Sequence, residues 1–248
     1  MSWINGKVEK IQQWTKTHYS IFIRAEISAF IAGQFGRIAL DIDGERIARP
    51  YSFVNAPNDR LLEVYFVKVP NGPLTSQLVD LQVGDSILVY QRAAGLFTLQ
   101  EVPEAETLWC LSTGTALGAF LSILRTEEAW TRFQNIVLVH AVRHKDERTH
   151  LDYIHEFKQI YGERFTYISF VSRENVPDAI SGRIPQAIIN GQLEDKANLT
   201  LSPITSQIMI CGNPYMVKDT MDVLLTQGFK KNLRRDPGHI TIENYWKA

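Results

Sequence analysis

The chain has 248 residues, 45% of them hydrophobic and 21% charged, with a formal net charge of −1. That balance excludes recruitment of nucleic acid by a global basic field, and no run of about 18 apolar residues offers a membrane span. Cys110 and Cys211 lie too far apart for a CxxC cluster or a disulfide framework, and with no leader visible the default is a soluble, cytoplasmic protein.

Residues 6–100 read as short strands. Gly6 to Trp14 alternates loosely, and Thr17 to Ile27 alternates better through Tyr19, Ile21, Ile23 and Ala25. Gly33 to Asp41 follows. Asp43-Gly44 is a two-residue hairpin signal between Ile38-Ala39-Leu40 and Arg46-Ile47-Ala48. Leu61 to Val69 is a further strand. Pro73 to Leu81 reads as a short helix entered from a glycine turn, Gly84 to Gln91 as a strand, and Phe97 to Leu99 as the last one. Short strands with turn signals between them suggest a small antiparallel β-barrel over residues 1–100.

Two stretches here carry chemistry. Arg49-Pro50-Tyr51-Ser52 places a cation, an aromatic ring and a hydroxyl on one strand edge. Arginine suits a pyrophosphate because its guanidinium is a rigid fork of donors, and a tyrosine ring can stack on a flat ligand. Side-chain alternation puts Arg49 and Tyr51 on one side and Ser52 on the other. Asn71-Gly72-Pro73-Leu74-Thr75 opens a helix, where free N–H groups favour an anion.

From residue 107 the period changes. Strand Thr107–Leu111 leads through Ser112-Thr113-Gly114-Thr115 to helix Leu117–Arg125, a strand–turn–helix that presents backbone amides to a phosphate. Strand Asn135–Val142, helix Leu151–Tyr161, strand Phe165–Val171, a helix from about Ile184 to Asn190, strand Gln207–Cys211 and helix Tyr215–Leu225 follow, with a tail after Gly228. Strands alternating with helices imply a doubly wound parallel sheet over residues 101–248. Ligands of such sheets sit at the carboxyl ends of the strands. Those ends carry Thr113-Gly114-Thr115, Arg143, Ser172-Arg173 and Cys211-Gly212-Asn213-Pro214, with Arg183 nearby. Three arginines converging there suit a phosphomonoester such as the 2′-phosphate of NADP. His140, His144, His150, His155 and His239 show no ligand spacing and there is no HExxH, so no metal is expected.

Taken in order, Arg49-Pro50-Tyr51-Ser52, Gly72-Pro73-Leu74-Thr75, Thr113-Gly114-Thr115-Ala116, Cys211-Gly212-Asn213-Pro214 and a terminal Tyr245-Trp246 resemble the ferredoxin–NADP reductase superfamily, in its bacterial, enterobacterial-type branch. The resemblance covers essentially the whole chain. It implies an FAD-binding barrel followed by an NADP-binding α/β domain whose tail returns to the flavin. It assigns Arg49 to the FAD pyrophosphate, Tyr51 to stacking on the isoalloxazine, Ser52 to the neighbourhood of flavin N5, and Pro50, Tyr65, Gly72, Leu74, Thr75 and Thr115 to the FAD site. Thr113, Gly114, Ser172, Gly212 and Asn213 fall in the NADP site, with Arg143, Arg173 and Arg183 on the 2′-phosphate. Ser52, Cys211 and Tyr245 are the implied catalytic set, with Cys211 near the nicotinamide C4 and Tyr245 over the flavin ring; Trp246 falls in the FAD site, near the adenine.

The implied activity is hydride transfer between NADPH and FAD, coupled to one-electron exchange with a ferredoxin or flavodoxin, by a monomer. Lys230, Lys231, Arg234 and Arg235 are the first candidates to dock an acidic partner, with Lys16, Arg148 and Lys158 weaker ones. Two other functions stay open: an NAD(P)H-dependent flavin reductase, and a non-catalytic flavin subunit of a redox complex. The chain departs from the family pattern at Pro73, which lacks an N–H, at Ala116 and Ala119 in the turn, and in extending to Lys247-Ala248.

Overall fold

A computed structural model describes residues 2–245 and places two six-stranded sheets against one another. The first contains β1 (Trp3–Gln13), β2 (His18–Arg24), β3 (Phe35–Ile42), β4 (Glu45–Ser52), β5 (Leu62–Val67) and, after helix α1 (Pro73–Leu78), β6 (Ser86–Tyr90). Its order is β4-β3-β6-β1-β2-β5, with antiparallel pairing throughout. The two outer strands meet: Phe53 bridges Val64, and the Val54 N–H donates to the Glu63 carbonyl at 3.0 Å. That contact closes the sheet into a barrel around Ile21, Ile23, Ile38, Val64 and Val89. The β3–β4 hairpin turns on Asp43 (φ 51°) and Gly44 (φ 82°), the positive dihedrals that a two-residue turn needs to match strand twist.

The second sheet is parallel. Its elements are β7 (Thr107–Thr113), α2 (Leu117–Leu124), α3 (Glu127–Arg132), β8 (Asn135–Val142), α4 (Leu151–Tyr161), β9 (Phe165–Val171), β10 (Ile180–Ser181), α5 (Ile184–Ile189), α6 (Gln192–Ala197), β11 (Ser206–Gly212), α7 (Pro214–Thr226) and β12 (Ile240–Asn244). The order β10-β9-β8-β7-β11-β12 reverses direction between β7 and β11. Alternate residues of each strand enter different cores. Leu108, Cys110, Ile136 and Leu138 pack under α2, α3 and α4, while Trp109, Leu111, Val137 and Val139 pack under α5, α6 and α7. Burial on both faces is why these strands read as continuous apolar runs.

The halves share a core. Val54, Tyr65 and Phe97 belong to the cluster under α2. At Gly118 a β-carbon would stand 3.0 Å from Val54 Cγ2, so a small residue lets α2 approach the barrel. The Ser122 hydroxyl donates to the Asn55 carbonyl at 2.7 Å. Deeper in the seam, His150 and Glu63 pair at 2.9 Å with both side chains almost fully buried.

Four segments differ from the sequence reading. Phe97–Leu99 is not a strand: Phe97 meets Phe120 edge-on at 5.4 Å, and a 3₁₀ turn follows over Leu99–Glu101. Its apolar residues serve the seam between the halves, not a ladder. The segment after Gly228 contains β12, which adds to β11 in parallel. Helices α3 and α6 have six residues each and go unrecognised in the sequence because neither spans two turns of apolar period. Among the described residues no helix is long and apolar enough to cross a bilayer.

Candidate functional site

A cleft of about 610 Å³ opens where β4, β5, the start of α1, the Thr113–Thr115 turn and the end of β12 converge. Arg49, Pro50, Tyr51, Ser52, Tyr65, Gly72, Leu74, Thr75, Thr115 and Tyr245 all line it. Trp246, the remaining residue assigned to this site by resemblance, lies outside the described residues. Ser52 joins Arg49 and Tyr51 in the same wall although strand alternation puts it opposite them; β4 ends at Ser52 on the barrel's closing edge, where the cleft wraps round the strand.

The cleft is polar at one end and aromatic along its walls. Gly72 precedes α1 without a side-chain cap, and the Leu74 and Thr75 amides are the orphan donors that a helix start leaves. Pro73 stands at the first helical position, where a missing N–H costs least. The Thr75 hydroxyl is occupied, accepting the Val69 N–H at 3.0 Å. Arg49 is exposed and spends one N–H on the Ala48 carbonyl at 2.7 Å. Burial pushes the Tyr51 phenol up to about 12, against a smaller opposing pull from Arg49. The Tyr65 hydroxyl is buried with no hydrogen-bond partner among the described residues, and burial raises its phenol likewise.

The other site lies at the switch point of the parallel sheet. Gly212 ends β11 with φ at +136°, and a β-carbon there would meet Thr113 Oγ1 at 2.1 Å. Only glycine lets β11 pass so close to β7. Thr113 Oγ1 instead accepts the Asn213 N–H at 2.9 Å, and the Asn213 side chain accepts from Tyr215 N–H, starting α7. Gly114 takes φ +54° and opens a 3₁₀ turn into α2.

Arg143 follows β8, Ser172 and Arg173 follow β9, and Arg183 follows β10. The Arg173 N–H donates to the Arg143 carbonyl at 3.0 Å, and Ser181 pairs with Val171 in the ladder, so the three loops sit side by side. All three arginines are exposed. None forms an ion pair among the described residues, whereas Arg125, Arg132 and Arg148 all do. His144 and Glu174 tie two of the loops together at 2.7 Å.

Tyr245 joins the two sites. Its phenol donates to the Thr115 carbonyl at 3.0 Å, its amide donates to the Gly212 carbonyl at 3.2 Å, and its ring packs on the core that holds Cys211. Cys211 is wholly buried in the core, and that burial raises its thiol far above the usual range, so it is a neutral thiol and no thiolate.

The sequence reading overlooked Glu243. It lines the cleft beside Tyr245, and burial pushes its carboxyl up to about 7. The signal was the alternation Ile240-Thr241-Ile242-Glu243, a strand pattern with a carboxylate where the chain enters the site.

The basic run is half neutralised: Lys230 pairs with Asp236, and Arg234 with Glu101 at 2.5 Å. Arg148 is held by Asp178 at 2.8 Å, and the Lys158 ammonium donates to the Gly162 and Phe165 carbonyls. Lys16, Lys231 and Arg235 form no ion pair among the described residues. No group of three or more His, Cys, Asp or Glu among the described residues could hold a metal ion.

The barrel cleft meets the switch point of the doubly wound sheet, and residues 110–222 match the oxidoreductase NAD-binding domain, so the chain falls among oxidoreductases. The chain is 45% identical over 245 residues to the flavodoxin/ferredoxin–NADP reductases of Shigella flexneri and Escherichia coli K12, covering 98% of this chain and 99% of each relative. Its fold matches a ferredoxin NADP+ reductase from Neisseria gonorrhoeae, solved with bound FAD and NADP, at a TM-score of 0.94 and 32% identity over 98% of this chain and 99% of that one. The chain belongs to the flavodoxin/ferredoxin–NADP reductase family.

Proposed function

We propose that this chain passes reducing equivalents between NADPH and a flavodoxin or ferredoxin by way of an FAD held in the barrel cleft. The cleft's chemistry fits that cofactor: a guanidinium and two uncapped helix amides, tyrosine rings along the walls, and a buried Tyr65 hydroxyl without a hydrogen-bond partner among the described residues. When bound, FAD supplies the conversion between two-electron hydride chemistry and one-electron exchange.

The residues divide the remaining work. Arg49 and the Leu74 and Thr75 amides would hold the pyrophosphate, with Gly72 at the turn that leads into α1. Tyr51 and Tyr245 form the aromatic faces, with Pro50, Tyr65 and Thr115 completing the walls. Ser52 lines the cleft and would offer a hydroxyl to the flavin's reacting edge. Arg143, Arg173 and Arg183 bind the 2′-phosphate, beside Ser172, while Thr113, Gly114, Gly212 and Asn213 shape the slot for the nicotinamide end. Cys211 keeps that slot apolar. Tyr245 bridges slot and cleft, so with both cofactors bound it would be the residue that moves to admit the nicotinamide. Glu243, titrating near neutrality, can hold or release a proton at the cleft wall.

The carrying observation is Tyr245, whose hydrogen bonds to Thr115 and Gly212 bind cleft and switch point into one site. We read residues 1–100 and 101–248 as the two domains, and a monomer as sufficient, since one chain supplies every wall of the cleft. The buried, unpaired Cys110 and Cys211 suit a reducing cytoplasm. Lys231 and Arg235 supply attraction for an acidic electron partner. The test is reduction of purified flavodoxin or ferredoxin by NADPH with catalytic amounts of the FAD-loaded protein, followed by the partner's own absorbance. Turnover with NADPH far above that with NADH is expected; reduction of free flavin alone, with neither protein partner reduced, would overturn the assignment.

A further inference from the structure

His140 is a buried side chain that the reading above leaves without work. It lies on β8 beside Ser112 of β7 and Ser169 of β9, and it is wholly inaccessible to solvent. Its Nε2 lies 3.0 Å from the carbonyl oxygen of Gly114. A carbonyl can only accept, so Nε2 carries the proton. Nδ1 meets no partner among the described residues, so a second proton would have no acceptor there. Burial pushes the imidazole down to about 3, with His150, His18 and Arg148 adding smaller pushes the same way. The ring is therefore a neutral donor of fixed tautomer.

The acceptor is the hinge of the Thr113–Thr115 turn. Gly114 holds φ +54°, and its carbonyl also accepts the Leu117 amide that begins α2. Next along the chain, the Thr115 carbonyl accepts the Tyr245 phenol. One buried side-chain donor from β8 thus holds, together with the Leu117 amide, the peptide next to the one that accepts Tyr245. Neighbouring side chains leave the hinge loose: Ser112 Oγ is already committed to the Val139 carbonyl at 2.7 Å, and Thr113 Oγ1 serves Asn213.

We propose that His140 is a positioning residue for hydride transfer, holding the Gly114 carbonyl so that the turn seats the nicotinamide end of the coenzyme. This rests on the reading of the turn given above. The role separates from simple stability by its chemistry: glutamine can present an N–H near the position of histidine Nε2, asparagine is too short to do so, and leucine has no donor.

The test compares FAD-loaded wild type with His140→Gln, His140→Asn and His140→Leu in anaerobic stopped flow. The bleaching rate of the flavin is read at saturating NADPH, and binding of adenosine 2′,5′-bisphosphate, which engages only the adenylate end, is measured alongside. Bleaching is expected to slow about tenfold in the Asn and Leu variants and to stay within about twofold of wild type in Gln. Binding of the bisphosphate is expected to be unchanged in all three. The proposal is overturned if Asn and Leu bleach at the wild-type rate, if Gln is as slow as Asn, or if bisphosphate binding weakens in step with the rate. The Gln and Asn pair decides the matter should the Leu variant not fold. A wild-type protein that NADPH fails to bleach is a different result, and would bring down the reading of the whole site.

Discussion

The barrel cleft and the sheet edge both receive a nucleotide in this account, yet they are built differently. The cleft draws its walls from six segments between Phe35 and Tyr245, and most of its side chains are at least partly buried. The sheet edge offers three exposed arginines on adjacent loops, all without ion-pair partners among the described residues. The contrast is that between a resident cofactor and a visiting coenzyme. A group that stays can be enclosed, with its desolvation offset by many contacts. A group that must leave each cycle is better met by charges that water still reaches, since exposed guanidinium–phosphate contacts select strongly for charge while remaining reversible.

Substitutions sharpen that contrast, and the largest effect belongs to the point where the two sites touch. Gly212→Ala forces a β-carbon into Thr113 Oγ1 at a dihedral unsuited to L residues, and should destabilise the protein by about 3 kcal/mol, measured by urea denaturation. Arg49→Ala should weaken FAD retention about thirtyfold, read by fluorescence of released flavin, with little change in coenzyme preference. Arg143→Ala or Arg173→Ala should do the reverse: KM for NADPH rises about tenfold, KM for NADH barely moves, and FAD stays bound. Equal losses for both coenzymes would erase the distinction between the two sites.

The smallest effect concerns Glu243. Its folded value of about 7 exceeds the ordinary 4.5 because burial disfavours the charge. The folded state therefore binds more protons than the unfolded one between those values. Stability from this group is complete below about pH 4.5 and is lost as pH rises through about 7. In Glu243→Gln that component of the pH dependence disappears, so the difference in Tm between variant and wild type should widen from pH 5 to pH 8 in the variant's favour.

Local chemistry made much of this legible. Asp43-Gly44 announced its hairpin because few other pairs accept two positive φ values. Asn135–Val142, Leu151–Tyr161 and Phe165–Val171 carry periodic patterns long enough to fix both type and limits. Arg49-Pro50-Tyr51-Ser52 and the start of α1 each read as ligand-binding from their own chemistry, but only the resemblance joined them, since nothing in Arg49-Pro50-Tyr51-Ser52 alone says that it will face Thr75 and Tyr245. What stayed hidden depends on tertiary contact. Strand β12 exists because β11 offers an edge, and Glu243 becomes a near-neutral acid only when that strand carries it into the seam. The basic turn at 230–235 looked like an open patch because Glu101, more than a hundred residues earlier, could not be seen to reach Arg234.

The most direct measurement mixes the FAD-loaded protein anaerobically with NADPH or NADH in separate shots and follows the flavin band. The account predicts rapid bleaching by NADPH and much slower bleaching by NADH, with the difference collapsing when Arg143 and Arg173 are both replaced by alanine. A folded protein that takes up no FAD, or one bleached equally by both coenzymes, would contradict it.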